Sequence, residues 1–199
     1  MNIRLAGGLL AATATLVPAT AFAHTGVGPA GGFAHGLAHP ISGLDHMLAM
    51  VMVGVLAWQI GGRALWLVPA TFVLVMALGG MLGVAGVDLP FVEAGIAVSV
   101  IVLGAIVAAG IKAPTAVAMG IAALFAVFHG HAHGSEMPAD AGGLAYGLGF
   151  MLGTALLHLA GIGAGLLIGR IAERHGPLAM RAAGGAAAVA GVGILTGVL

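Results

Sequence analysis

The chain has 199 residues, 61% of them hydrophobic and only 6% charged, and its six Lys and Arg balance six Asp and Glu to a net charge of zero. A soluble domain carries about 25% charged residues, so this chain cannot clothe a water-facing surface. Zero net charge offers no basic face to nucleic acid, and the lack of Cys excludes disulfides, thiolate metal sites and thiol catalysis. What remains is an integral membrane protein, all-α, with a mean hydropathy of +1.17. Its nine histidines are the conspicuous polar residue, and its 36 glycines suit close helix packing in lipid.

Met1 to Ala23 reads as a secretory signal: Arg4, the apolar run Leu5 to Val17, and Ala21-Phe22-Ala23 as a small-x-small cleavage site. The alternative is an uncleaved first membrane helix; the shortness of the run and Pro18 favour cleavage. The mature domain, residues 24–199, would then begin at His24, an amine plus an imidazole. Thr25 to Ala38, rich in Gly, is expected to be an extended arm or a loop. Six apolar segments follow, each near the roughly 20 residues that a bilayer requires. They run about Leu44–Gln59, Ala64–Val84, Pro90–Ile111, Pro114–Phe128, Gly143–Gly169 and Leu178–Val198. Only Lys112 and Ala113 part the third from the fourth, which predicts a tight hairpin with Pro114 opening its second arm. The fifth is long enough to tilt or to begin outside the membrane. Its glycines at four-residue spacing, Gly143-Gly147, Gly149-Gly153 and Gly161-Gly165-Gly169, predict close backbone approach. No internal repeat emerges.

Charge sets the orientation. Arg63, Lys112, Arg170, Arg174 and Arg181 fall in or beside connections one–two, three–four and five–six, whereas Asp88, Glu136 and Asp140 fall in the other two. The positive-inside rule puts the first set in the cytoplasm. Both ends of the mature chain are then periplasmic, in agreement with the signal, and the protein belongs in a bacterial inner membrane.

Ligand-type residues gather at the outer mouth of this topology. HPISGLDHMLAM, His39 to Met50, places Asp45 and His46 in the first turn of the first span. An ionisable residue at bilayer depth costs roughly 2.5–3.5 kcal/mol on insertion scales, so it marks function by default. On a continuous helix His39 and His46 would lie about 10 Å apart along the axis; a turn over Pro40 to Gly43 would fold His39 back. Met47 and Met50 read as core filler. At the end of the fourth span, in FHGHAHGSEMP, His129, His133 and Glu136 share one helical face, the spacing by which a helix chelates a metal. His131 points elsewhere unless Gly130 and Gly134 break the helix. Glu93, in the first turn of the third span, is read equally as a helix cap or as a ligand or gate. His158, well below the mouth, is either a buried histidine bonded to a neighbouring helix or an inner relay station. His175 reads as solvated. Imidazole and carboxylate without thiolate suit Ni, Zn, Cu(II) or Co.

At these two stretches the sequence resembles the HupE/UreJ family of nickel permeases, in the same order, after a signal, and over essentially the whole mature chain. The resemblance implies uptake of Ni2+, with Co2+ or Zn2+ as alternatives, and points to His39, Asp45, His46, Glu93, His133 and Glu136 as the family-type polar positions. No Walker A motif is present, so the chain itself does not hydrolyse ATP, and no prosthetic group is expected. The expected partners are the divalent cation and the lipid bilayer; the oligomeric state is open. Two competitors stand beside it: an intramembrane zinc hydrolase that uses the same cluster, with Glu136 or Glu93 as general base, and a bis-His haem subunit, disfavoured because it needs paired histidines at depth and only His158 lies deep.

Overall fold

The computed structural model describes residues 29–137, 142–171 and 175–199. The expected signal segment, its cleavage site, His24, Asp140 and Arg174 lie outside these. The described residues form seven helices: α1 (Pro29–Ser42), α2 (Leu44–Ile60), α3 (Ala64–Val84), α4 (Val92–Ala109), α5 (Thr115–Ser135), α6 (Gly143–Ile171) and α7 (Gly176–Leu195). Helices α3 to α7 are each long and apolar enough to cross a membrane. A sixth span is completed if α1 and α2, which meet at an 83° bend, count as one. Large apolar side chains such as Trp66, Leu74, Leu78, Leu159 and Val189 stand exposed on the outside of the bundle, the surface that lipid covers.

The axis of the bundle is α2. Its run Met52 to Ala57 is buried on every side, as are Ala49 and Met50, so it shows no amphipathic stripe because it has no outer face. Helices α3, α4, α6 and α7 pack around it. In lipid the driving force for such packing is backbone approach and van der Waals contact rather than the hydrophobic effect, and the glycines provide it. A β-carbon at Gly104 would sit 2.7 Å from the Gly184 carbonyl oxygen, and one at Gly184 the same distance from the Gly104 oxygen, which locks α4 to α7. Gly79 and Gly83 do the same between α3 and α5. The hairpin partners α4 and α5 therefore touch each other less than each touches its glycine-matched neighbour.

The glycines of α6 serve two helices in turn. Gly149 and Gly153 lie against the Phe33 and Leu37 carbonyls of α1, Gly161 lies against α2 near Val55, and Trp58 of α2 covers Gly165 and Gly169. This corrects the expectation for Thr25–Ala38. From Pro29 onward that stretch is helix, not arm or loop, and Gly36 within it is a contact point for α6, resting on the Tyr146 carbonyl. The third span also starts later than expected, at Val92, since Phe91 holds a left-handed φ of 59°. The second span matches its expected bounds.

Candidate metal centre

The bend between α1 and α2 is what makes a site. Gly43, in extended conformation, separates the two helices, and Ser42 Oγ ties back to the His39 carbonyl at 2.6 Å. His39 therefore folds over toward α5 and α6 instead of continuing up the axis of α2; the expected turn over Pro40 to Gly43 shrinks to Gly43 alone, since α1 stays helical through Ser42. Its ring lies 4.7 Å from that of His133, edge to face, and 5.8 Å from those of His35 and Tyr146.

On the facing side, α5 runs unbroken through FHGHAHGS to Ser135. Gly130 and Gly134 do not break it; they bring it against Met76 and Gly80 of α3, where any β-carbon would collide with backbone. Helical phase then sorts the histidines. His129 and His133 face the bundle interior, while His131 turns away and its ring N–H donates to the Val87 carbonyl at 2.6 Å. Ring contacts of 4.3 Å between His46 and His133 and 4.7 Å between His46 and His129 join α2 to α5. Ligand atoms of His39, His133 and Glu136 all lie within 4.8 Å of one another, close enough to share one cation.

Hydrogen bonds fix which nitrogens are free to bind. A carboxylate only accepts, so the 2.8 Å contact between His46 Nδ1 and Asp45 Oδ1 means that Nδ1 carries the proton. The same oxygen accepts from the His46 backbone N–H at 2.7 Å. Nε2 of His46 is left with its lone pair, buried and without a partner. Ser99 works likewise on α4. Its hydroxyl donates to the Ile96 carbonyl at 2.6 Å, so the 2.9 Å contact with His129 has the ring Nε2–H donating to Ser99 Oγ, and Nδ1 is left bare and buried. A carboxylate or hydroxyl that holds one ring nitrogen and aims the other is the usual support of a metal-binding imidazole. Asp45 is thus placed to orient His46. His133 has neither ring nitrogen partnered, and the buried Tyr146 hydroxyl beside it has no partner either. Each such buried, unmet polar group costs about 1–3 kcal/mol, a cost that a bound ion offsets.

Beside His133 opens a largely apolar cleft of about 580 Å³ between α3, α5 and α6, lined by Met76, Met81, Met137, Tyr146 and Phe150 among others. Glu93 stands apart from the cluster: it occupies the first turn of α4 and is exposed. Met50 is core, in keeping with its reading as filler.

The sequence profile of the HupE / UreJ protein family matches residues 10–194. The chain belongs to the HupE/UreJ family. Over 150 residues it is 48% identical to Protein HupE of Rhizobium leguminosarum bv. viciae, an alignment that covers 75% of this chain and 76% of that protein. No solved structure matches it. In this HupE/UreJ chain, sequence reasoning overlooked His35, Ser99 and Tyr146. His35 and His39 are one helical turn apart, a spacing visible once α1 is read as helix. Ser99 could have been noticed as a lone polar residue in an apolar span. Nothing in the sequence marks Tyr146.

Proposed function

We propose that the chain is an inner-membrane secondary permease that takes up divalent transition-metal cations, Ni2+ first and Co2+ next, from the periplasm. The observation that carries this reading is the convergence of His39, His46, His129, His133 and Glu136 from three helices of a membrane bundle, with the free ring nitrogens of His46 and His129 set by Asp45 and Ser99. Nitrogen donors with a carboxylate and no thiolate suit Ni2+ and its neighbours over Mg2+ or Ca2+. The resemblance of both motifs to the HupE/UreJ nickel permeases favours Ni2+ among those neighbours.

In this reading a hydrated cation is drawn to the mouth by Glu93 at the rim and Glu136 at the end of α5. It exchanges waters for the imidazoles of His39 and His133 and the Glu136 carboxylate, then passes inward to His46 and His129. The membrane potential favours entry by about 2.3 kcal/mol per charge per 100 mV, hence about 4.6 kcal/mol for a divalent ion.

The test is whole-cell uptake of labelled nickel alongside immunoblots of the membrane fraction. His46→Ala and His133→Ala are expected to lower uptake at least tenfold with the amount of protein in the membrane unchanged. Wild-type uptake in both would remove the cluster from the pathway.

A further inference from the structure

His158 lies on α6, one of the largest fully buried side chains of the protein, and neither of its ring nitrogens has a hydrogen-bond partner. Among the described residues only His133, inside the metal cluster, shares that condition. A neutral imidazole carries one donor and one acceptor, so a residue retained only to fill this space would be better served by Leu or Phe. The bonded reading of His158 finds no partner in the structure. Its neighbours are of another kind. Phe72 meets its ring edge to face at 5.2 Å and meets His129 at 5.6 Å. The Thr154 hydroxyl, one turn earlier on α6 and wholly buried, donates to Met76 Sδ at 3.6 Å, and Met76 is one turn from Phe72 on α3. Two helices thus bring an imidazole, a hydroxyl and a thioether together within one turn, with Phe72 against the imidazole.

We propose that His158 is an inner cation-binding station, with Thr154 and Met76 at its side, separated from the outer cluster by the ring of Phe72. The inference rests on the permease reading and deepens it. Rings follow one another from His39 to His133, His46, His129, Phe72 and His158 at centroid spacings of 4.7, 4.3, 4.7, 5.6 and 5.2 Å. Phe150, which packs on His133 at 4.1 Å, is eight residues before His158 on α6, so the station is about 12 Å further along that helix. A doubly charged ion that leaves the outer cluster needs a donor at that depth, and His158 is the imidazole there. Nitrogen with thioether sulfur suits a borderline or soft divalent ion, Ni2+, Co2+ or Cu2+, and not Mg2+ or Ca2+.

The full-length protein is tested as wild type, His158→Leu and His158→Gln, the second of which keeps a polar group of similar reach. The readouts are labelled-nickel uptake by whole cells, and melting temperature and nickel affinity of the outer cluster in purified, detergent-solubilised protein. The expected result is at least a tenfold loss of uptake in both variants, with outer-cluster affinity at the wild-type value and a melting temperature at or, in His158→Leu, above it. Wild-type uptake in His158→Leu overturns the station, as does a loss of uptake that only follows loss of folded protein. If the leucine variant does not accumulate, His158→Gln decides by the same criteria. Absence of uptake by the wild type would instead strike the permease reading itself.

Discussion

Replacing Gly130 by Ala tests the geometry of the cluster through a residue that offers no ligand. A β-carbon there would overlap the Met76 carbonyl oxygen and stand 2.8 Å from Gly80 N, where ordinary contact begins at 3.4 Å. All of these are backbone atoms, so no side chain can swing away; the Gly80 N contact alone requires α3 and α5 to part by about 0.6 Å, and the nearer Met76 oxygen requires more. Overpacking of this kind costs about 1–3 kcal/mol, against about 1 kcal/mol of helix propensity gained by Ala over Gly. Gly120, on the same helix with nothing within 4 Å of its β-carbon, isolates the propensity term. Gly120→Ala should therefore hold or raise the melting temperature in detergent, and Gly130→Ala should fall below it by the overpacking term. Because Gly130 lies between His129 and the turn that bears His133, the shift also exceeds the roughly 0.2 Å tolerance of metal–ligand distances. Nickel uptake per molecule of membrane protein should drop at least tenfold in Gly130→Ala and stay normal in Gly120→Ala. Equal stability and uptake in the two variants would refute the close α3–α5 contact.

Other outcomes follow from the same contacts. Asp45→Asn, which keeps the shape but weakens the hold on His46 Nδ1, should lower nickel affinity by about 10–100-fold, measured by equilibrium dialysis; an effect as large as that of His46→Ala would instead make Asp45 a direct ligand. Ser99→Ala should give a smaller loss of the same kind, because His129 then loses the partner that sets its free nitrogen. Gly149→Ala, pressing α1 off α6 at the Phe33 carbonyl, should reduce uptake through displacement of His39 while the other helices remain assembled, as read by circular dichroism. Protons compete with the cation for imidazole nitrogen, so acidifying the external medium should weaken uptake; uptake that rises on acidification would count against imidazole ligands.

Much of this arrangement is legible in the sequence where a single helix decides it. The spacing of His129, His133 and Glu136 puts them on one face of any regular helix, and the same phase sends His131 the other way, to Val87. The apolar runs locate the spans because lipid tolerates little else. What depends on the meeting of helices is hidden. The glycines before His39 read as breakers, yet Gly36 among them is an anchor for α6, and only the position of α6 tells the two roles apart. Asp45 looks like a ligand because a carboxylate at a membrane mouth invites that reading; its attachment to His46 is a matter of rotamer and distance, which residue type does not carry.

The division of labour among the histidines bears on how a site can bind and still release. His46 and His129 each have one nitrogen held, by Asp45 and by Ser99, so their free nitrogens are aimed and their tautomers set. His39 and His133 have no such hold in the structure; His133 is buried without a partner on either nitrogen. An oriented ligand binds with less loss of freedom and binds more tightly, whereas an unsupported ring binds but gives the ion up with less resistance. Conduction needs binding strong enough to strip waters and weak enough at each step to proceed. The loosely held pair, His39 and His133, stands with Glu136 toward the mouth; of the held pair, His46 bridges His133 to His129, and His129 packs against Ser99 and Phe72. On the permease reading proposed above, this order would match a passage that captures first and selects second, with discrimination among similar ions at the rings whose geometry is fixed. Substitutions at Ser99 and Asp45 should accordingly alter the ratio of nickel to cobalt uptake, and substitution of His39 should lower both together.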